Sequence, residues 1–392
     1  MANVRGEVKD GGVIVHITGR IDSTNATDVE NALKAIREEN PDGSLTMDAS
    51  ELEYISSAGL RVVLRTRKAE PTFEIINVSS DVYEIFEMTG FSEMMTIKKA
   101  YRKFDVEGCE VIGQGSNGKV YRIDPETIIK VYKNPDSLPE IHRERELARK
   151  AFVLGVPTAI PYDVVKVGDG YGSVFELLNA ESFAKLIVKD SDNFDKYVKM
   201  SANLLKQIHD TTLKEGEMPN EKEVVIGWVK FLEEYLPTET YEKLLKMVED
   251  VEESTNLMHG DFHLKNIMMQ NDEALLIDMD TLCLGDPIFE LASMYNAYVG
   301  FGIVDPKKVE DFIGISYDVT KDIWRKSLEY YLDTDDDARI EEVSMKAELI
   351  GLVRIMRRSI RRESDTEQGQ KLIETCKERI IEIVNNIDDL KI

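Results

Sequence analysis

The segment His259-Gly260-Asp261-Phe262-His263-Leu264-Lys265-Asn266, followed by Leu276-Ile277-Asp278, sets an acid, an amide and a second acid in the order that ATP-dependent phosphoryl transfer requires. That reaction asks for little covalent chemistry from a protein. It needs a group that orients and deprotonates the attacking hydroxyl, and metal ions that neutralise charge on the phosphates. Asp261 suits the first task, and Asn266 and Asp278, as hard oxygen donors, suit Mg2+. Read alone, H-G-D is also compatible with a turn flanked by surface acids, because short motifs recur by chance.

A second motif lies upstream. Val111-Ile112-Gly113-Gln114-Gly115-Ser116-Asn117-Gly118-Lys119-Val120-Tyr121 spells G-x-G-x-x-G-x-V. In dinucleotide-binding folds the third glycine of such a pattern opens a helix. Here Gly118 runs into β-prone Val120 to Ile123, the turn Asp124-Pro125, and a second β-prone run from Ile128 to Tyr132. The pattern predicts a hairpin whose glycine loop can lie over phosphates with its backbone N–H groups. It also delivers Lys130 on a strand, where a kinase keeps the lysine that pairs the α- and β-phosphates.

These residues resemble the protein-kinase-like superfamily, and within it the aminoglycoside phosphotransferase and choline/homoserine kinase branch. The resemblance covers the chain from about residue 105 to near its end and implies a bilobal fold, mainly β in the first lobe and mainly α in the second. It implies that Gly113, Gly115 and Gly118, with Ser116 between them, cover the ATP phosphates. Lys130 would contact those phosphates and pair with a glutamate on the helix at Ile141 to Ala148; Glu144 sits where that glutamate belongs, and Glu146 projects from a different face. Glu176 and Leu178, after a strand beginning near Gly172, would meet adenine through their backbone groups at the hinge.

Two departures from protein kinases point to a small acceptor. His263 stands two positions after Asp261, where peptide kinases usually carry lysine, and H-G-D-x-H is typical of small-molecule kinases. Asp278 leads almost directly to Gly285-Asp286-Pro287, with no long segment on which a peptide would lie. Asp286 is expected to brace the catalytic loop, His259 to tie that loop to the metal-binding turn, and Lys265 to be solvated.

The chain opens differently. Val13 to Asp22 alternates like a strand, Asp28 to Glu38 has helical spacing, and Ser44 to Asp48 reads as a strand. Tyr54-Ile55-Ser56-Ser57-Ala58-Gly59-Leu60 then joins a serine turn to an apolar helix start, and a serine there is first of all a cap. This order, completed by Phe73 to Val78 and a helix from Val82 to Thr89, resembles the STAS domain, an α/β fold of anti-sigma-factor antagonists. The resemblance implies a regulatory protein partner and reversible phosphorylation at Ser57, which would add about −1.5 to −2 charge at a helix start. Ser56 and Ala58 depart from the residues that many such antagonists carry.

Composition fits both parts. A chain of 392 residues holds two or three cores. The expected division is 1–100 for the STAS-like α/β domain, 105–178 for the nucleotide-binding lobe and 179–392 for the helical lobe, a mixture of α/β and α+β architecture. The cysteines Cys109, Cys283 and Cys376 are widely separated, which favours a reduced cytoplasmic setting without disulfides or structural zinc. No membrane span, signal peptide or lipidation site is expected. A net charge of −25 argues against nucleic acid and is compatible with a cationic acceptor. The acidic run Tyr330 to Asp337 is expected to be solvated, and Arg354, Arg357, Arg358, Arg361 and Arg362 to pair with neighbouring carboxylates.

The expected function is ATP- and Mg2+-dependent phosphotransfer to a hydroxyl of a small molecule of the aminoglycoside, choline or homoserine class, linked to a regulatory STAS module. A regulatory serine protein kinase acting on STAS-type serines, and a non-catalytic nucleotide-sensing scaffold, remain as alternatives.

Overall fold

Period-two alternation along Gly12–Ile21 builds the first sheet: Val13, Val15 and Ile17 are buried, while His16 and Thr18 point to the other face. The computed structural model describes residues 2–9, 11–115 and 118–392. Its contacts divide into two units, residues 1–105 with 164–169, and 106–163 with 170–392.

In the first unit, β1 (Asn3–Lys9) pairs antiparallel with β2 (Gly12–Ile21), and β3 (Leu45–Ile55), β4 (Glu74–Val78) and β5 (Ile97–Lys99) follow in parallel in that spatial order. The parallel steps need crossovers, supplied by α1 (Ala26–Glu39), α2 (Ser57–Ala69) and α3 (Ser80–Met88) with α4 (Phe91–Met94). Their apolar faces cover Val15, Met47 and Ile75, each at most 0% exposed. The open sheet face is polar: His16 lies 3.1 Å from Glu7 and 3.2 Å from Asp48, and Asn77 donates to Asp48 at 3.2 Å. Gly59 lets α2 approach the sheet, because a Cβ there would lie 2.7 Å from both Ile21 and Ile55 side chains. β1 was not legible as a strand in the sequence; its residues are mostly exposed and lack the alternation that marks β2.

A short β6 (Lys103–Phe104) also belongs to the first unit. In the second unit come β7 (Glu110–Gln114), β8 (Gly118–Arg122), β9 (Thr127–Tyr132), α5 (Leu138–Val153) and β11 (Gly170–Glu176); β10 (Pro161–Val167) begins there, and its end, counted with the first unit, pairs in parallel with β6. Antiparallel pairing runs β7 to β8, β8 to β9 and β9 to β11.

The remainder is mainly helical. β12 (Glu181–Ser182) leads into α6 (Phe183–Lys189), α7 (Phe194–His209), α8 (Glu221–Phe231) and α9 (Thr238–Glu249). β13 (Leu257–Met258), the hairpin of β14 (Ile267–Gln270) with β15 (Glu273–Leu276), and β16 (Cys283–Leu284) frame the catalytic-loop motif. α10 (Pro287–Tyr298), α11 (Lys307–Ile313), α12 (Tyr317–Leu332), α13 (Asp337–Arg362) and α14 (Glu367–Asn386) complete the chain. Within α13, Leu349, Leu352, Val353 and Met356 enter the core as their helical spacing predicts, and Ile360 packs at its edge.

Candidate active site

Of the motif glycines, Gly113 lies on β7 and Gly118 opens β8, which pairs antiparallel with it. Gly118 is the position that demands glycine: a Cβ would stand 2.2 Å from the Val131 carbonyl oxygen on β9. Gly113 and Gly115 line the cleft beneath, whereas Ser116 lies outside the described residues. The neighbouring strand points Lys130 into that cleft. Its Nζ lies 2.8 Å from Glu144 Oε1 on α5 and 2.7 Å from Asp278 Oδ1. Burial works against the Lys130 ammonium, but the charges of Glu144 and Asp278 outweigh it and hold the group protonated well above the ordinary lysine range. Glu144 is buried and also accepts from the Tyr132 hydroxyl, while Glu146 is exposed on another face.

The cleft encloses about 360 Å³ and is walled by Ile112, Val120, Phe175, Met268 and Ile277. Glu176, Leu177 and Leu178 form one edge. Glu176 is bonded internally through both groups: its carboxylate accepts from the Ile160 N–H at 3.3 Å and its own N–H donates to the Ile160 carbonyl at 3.0 Å.

The catalytic-loop motif runs between two small sheets. β13 pairs with β16 before and after it, and β14 pairs with β15 so that Ile267 faces Leu276. The hairpin turns at Asn271 and Asp272, both at positive φ, as tight hairpin turns require. It brings Asn266 beside Ile277, whose N–H donates to the Asn266 carbonyl at 3.0 Å, and so sets Asp278 next to the loop. Asn266 Nδ2 donates to the Asp261 carbonyl at 3.0 Å and lies 3.4 Å from its Oδ2. His263 Nε2 stands 3.5 Å from the same carboxylate oxygen. Burial alone would raise Asp261, but the His263 hydrogen bond and the charges of His263, His259 and Arg354 bring it below the usual carboxylate range.

His259 does tie the loop to the turn before Asp278. Its Nε2–H donates to the Ile277 carbonyl at 3.1 Å and its Nδ1 accepts from the Asp261 N–H at 3.3 Å. Asp286 does not brace the loop; it caps α10, accepting from the Ile288 N–H at 2.9 Å. The brace is Glu290, one turn further along that helix and only 1% exposed. It accepts from the backbone N–H groups of His259 at 2.5 Å, Gly260 at 3.1 Å and Phe262 at 3.3 Å. Burial opposes its charge, yet the His209 contact, the nearby histidines and these N–H donors hold Glu290 below the ordinary range. Lys265 is exposed but occupied, donating to the Phe312 carbonyl at 2.7 Å. Asp280, which no motif marked, sits two residues beyond Asp278, where burial and then the Asp278 charge push it up to about 6.

In the first unit, Ser56 is the cap of α2, its hydroxyl accepting from the Gly59 N–H at 3.4 Å. Ser57 is the first helical residue and is exposed. The capping role expected of a serine here therefore belongs to Ser56 and leaves the Ser57 hydroxyl unneeded for the cap.

Residues 108–310 match the model of the phosphotransferase enzyme family, APH. The chain belongs to this family. Its phosphotransferase activity on hydroxyl acceptors comes with that membership, and Lys130, Asp261, Asn266 and Asp278 lie in the matched span. Residues 3–104 match the STAS domain model. BtrV of Bordetella bronchiseptica, provisionally named an anti-sigma factor antagonist, is 33% identical over 92 residues, covering 22% of this chain and 78% of that protein. The phosphotransferase is similar to the solved ternary complex of streptomycin, ATP and APH(2'')-IIa, with 17% identity, 77% of this chain and 97% of that chain covered, and a TM-score of 0.48. A similar match is a choline/ethanolamine kinase family protein from Mesorhizobium loti, with 12% identity, coverage of 71% and 92%, and a TM-score of 0.45.

Proposed function

We propose that this phosphotransferase moves the γ-phosphoryl group of ATP to a hydroxyl of a small molecule, with Mg2+ as the metal. The observation that carries this reading is Lys130 held between Glu144 at 2.8 Å and Asp278 at 2.7 Å, on the wall of a cleft that also presents the glycine hairpin. The donor set suits Mg2+. Asp278 offers a carboxylate on an exposed turn, and Asn266, whose Nδ2 is taken by Asp261, is left with Oδ1 as its ligating atom. Among the described residues no group of three or more His, Cys, Asp or Glu could hold a metal by itself, which fits an ion that Mg2+ sites usually share with substrate phosphates. When bound, the ion supplies charge neutralisation at those phosphates.

The protein's own part is positioning and proton transfer. Asp261, ionised at neutral pH, accepts a hydrogen bond from the acceptor hydroxyl and takes its proton as the new O–P bond forms and the bond to the β-phosphate oxygen breaks. Asn266 and His263 fix the carboxylate, and Glu290 fixes the loop that carries it. Gly113, Gly115 and Gly118 cover the phosphates, while backbone groups of Glu176 and Leu178 meet the base. The lobes divide near residue 178. The STAS domain docks a regulatory protein, with exposed Ser57 as its modifiable hydroxyl, and the setting is cytoplasmic. Among the described residues no helix is long and apolar enough to cross a membrane.

The test is ADP release by the purified chain with aminoglycosides, choline, homoserine and sugar alcohols, with and without Mg2+, and mass analysis of the products. Acceptor-dependent, chelator-sensitive ADP formation supports the reading. No nucleotide turnover with any acceptor would leave the scaffold alternative in its place.

A further inference from the structure

The arginines of α13 do not find the carboxylates expected for them in a chain of net charge −25. Among the described residues, none of Arg354, Arg357, Arg358, Arg361 and Arg362 has a carboxylate oxygen within 4.0 Å. Three of them lie over aromatic rings instead: Arg354 over Trp228 at 5.6 Å, Arg357 over Phe231 at 5.6 Å and Arg358 over Phe301 at 5.5 Å. A ring face can hold a guanidinium while its N–H groups remain able to meet a planar anion, though Arg354 spends one of them on Ser293. Arg357 and Arg361 are like charges one turn apart, and burial together with the Arg361 charge lowers Arg357. Such a cluster is kept at a cost unless an anion joins it.

Two chains of contact run from Arg354 and Arg358 to the catalytic loop. Arg354 Nη1 donates to Ser293 Oγ at 3.0 Å, and that hydroxyl donates to the Gly260 carbonyl at 3.1 Å, one residue before Asp261. Phe301, under Arg358, meets Phe312 edge-on at 6.5 Å, and Phe312 meets the His263 ring at 4.9 Å. The acids nearby are already engaged or weakly charged. Glu290 is bound by the loop N–H groups, and burial, opposed by Arg354, pushes Glu221 up to about 7. In the acidic run leading into α13, Asp333 pairs with Lys206 at 2.6 Å, Asp336 caps the helix and Asp337 pairs with Arg325.

We propose that the acceptor is a hydroxylated anion, a hydroxy acid or a sugar phosphate, whose acidic group is held by Arg354, Arg357 and Arg358 while its hydroxyl meets Asp261. This rests on the phosphotransferase reading above and narrows it away from cationic amines. The experiment titrates the full chain, with Mg2+ and a non-hydrolysable ATP analogue, with glycerol 3-phosphate, glycerate, choline and kanamycin, and then measures ADP release with each. We expect the two anions to bind and to accept phosphate. Their affinity should fall about 10-fold or more in Arg357→Gln/Arg358→Gln and partly return with lysine at both positions. KM for the anion should change more than kcat, and analogue affinity should stay constant.

Turnover of choline or kanamycin with a KM untouched by the glutamine replacements would overturn the inference while leaving the phosphotransferase intact. Arginine-dependent anion binding without turnover of any acceptor would uphold the anion site and reject the catalytic reading. Absence of arginine-dependent anion binding overturns the inference whatever the turnover. If the double variant fails to fold, the wild-type chain still decides: anion affinity that weakens with added salt supports the site, and salt-independent or absent binding overturns it.

Discussion

Asp278 holds φ 68° and ψ 63°, a left-handed conformation that costs a non-glycine residue about 1–3 kcal/mol. The Ile277 contacts to Asn266 and His259 on one side and Lys130 on the other keep it there. Its neighbour in function, Glu290, stabilises the loop through three backbone donors, so Glu290→Gln should turn an amide N–H toward at least one of them. The expected cost is about 3 kcal/mol or more in denaturant unfolding, with transfer falling roughly 10-fold as the loop shifts. Unchanged stability would remove Glu290 from the bracing role. Glu221 gives a pH-dependent prediction. Its folded value of about 7 lies above an unfolded value of about 4.3, so its carboxylate costs stability above pH 7 and that cost fades as pH falls toward 4.3. Glu221→Gln should therefore gain about 1–3 kcal/mol at pH 8 and almost nothing near pH 4.5, read from urea midpoints. A gain equal at both pH values would contradict this account. Asp261, Asn266 and Lys130 were legible as candidates because each falls at a fixed place in a short motif. Glu290 was not, because its partners lie about thirty residues away in sequence and no local pattern distinguishes it from Asp286 at the helix cap.

At the scale of elements, hydrophobic period and turn chemistry carried most of the information. The glycine hairpin was separable from a dinucleotide fold because Gly118 is followed by β-prone residues, and its closeness to Val131 shows why glycine is required. β1 escaped because an exposed edge strand needs no alternation. The stripe on α13 was legible as two faces, but the partners of its arginines depend on aromatic residues of α8 and the turn after α10, which helical spacing alone does not reveal. The serine pair on α2 illustrates the same limit: sequence marks a cap, and only the fold says which hydroxyl provides it. Ser56→Ala should cost about 0.5–1 kcal/mol and speed amide exchange at Gly59, whereas Ser57→Ala should change neither. Exchange mass spectrometry of the first turn of α2 checks both, and an equal loss in the two variants would mean that the cap is shared.

For the molecule as a whole, the order of motifs identified a STAS domain followed by a phosphotransferase, since each fold places its signature residues in a fixed chain order. The grouping of residues 164–169 with the first unit was not read from the sequence; in the structure β10 runs as one strand from Pro161 to Val167 across that boundary. The net charge of −25 does not by itself set the acceptor's sign, because charge is unevenly spread and α13 carries a cluster of arginines. Asp261 is the residue on which the proposed transfer turns, since it is proposed as the base for the acceptor hydroxyl. The most direct test is to compare wild type and Asp261→Asn for Mg·ATP affinity by calorimetry and for acceptor-dependent ADP formation in single-turnover assays. The account predicts unchanged nucleotide affinity with transfer reduced roughly 10²-fold or more. Near-normal transfer in Asp261→Asn would contradict it.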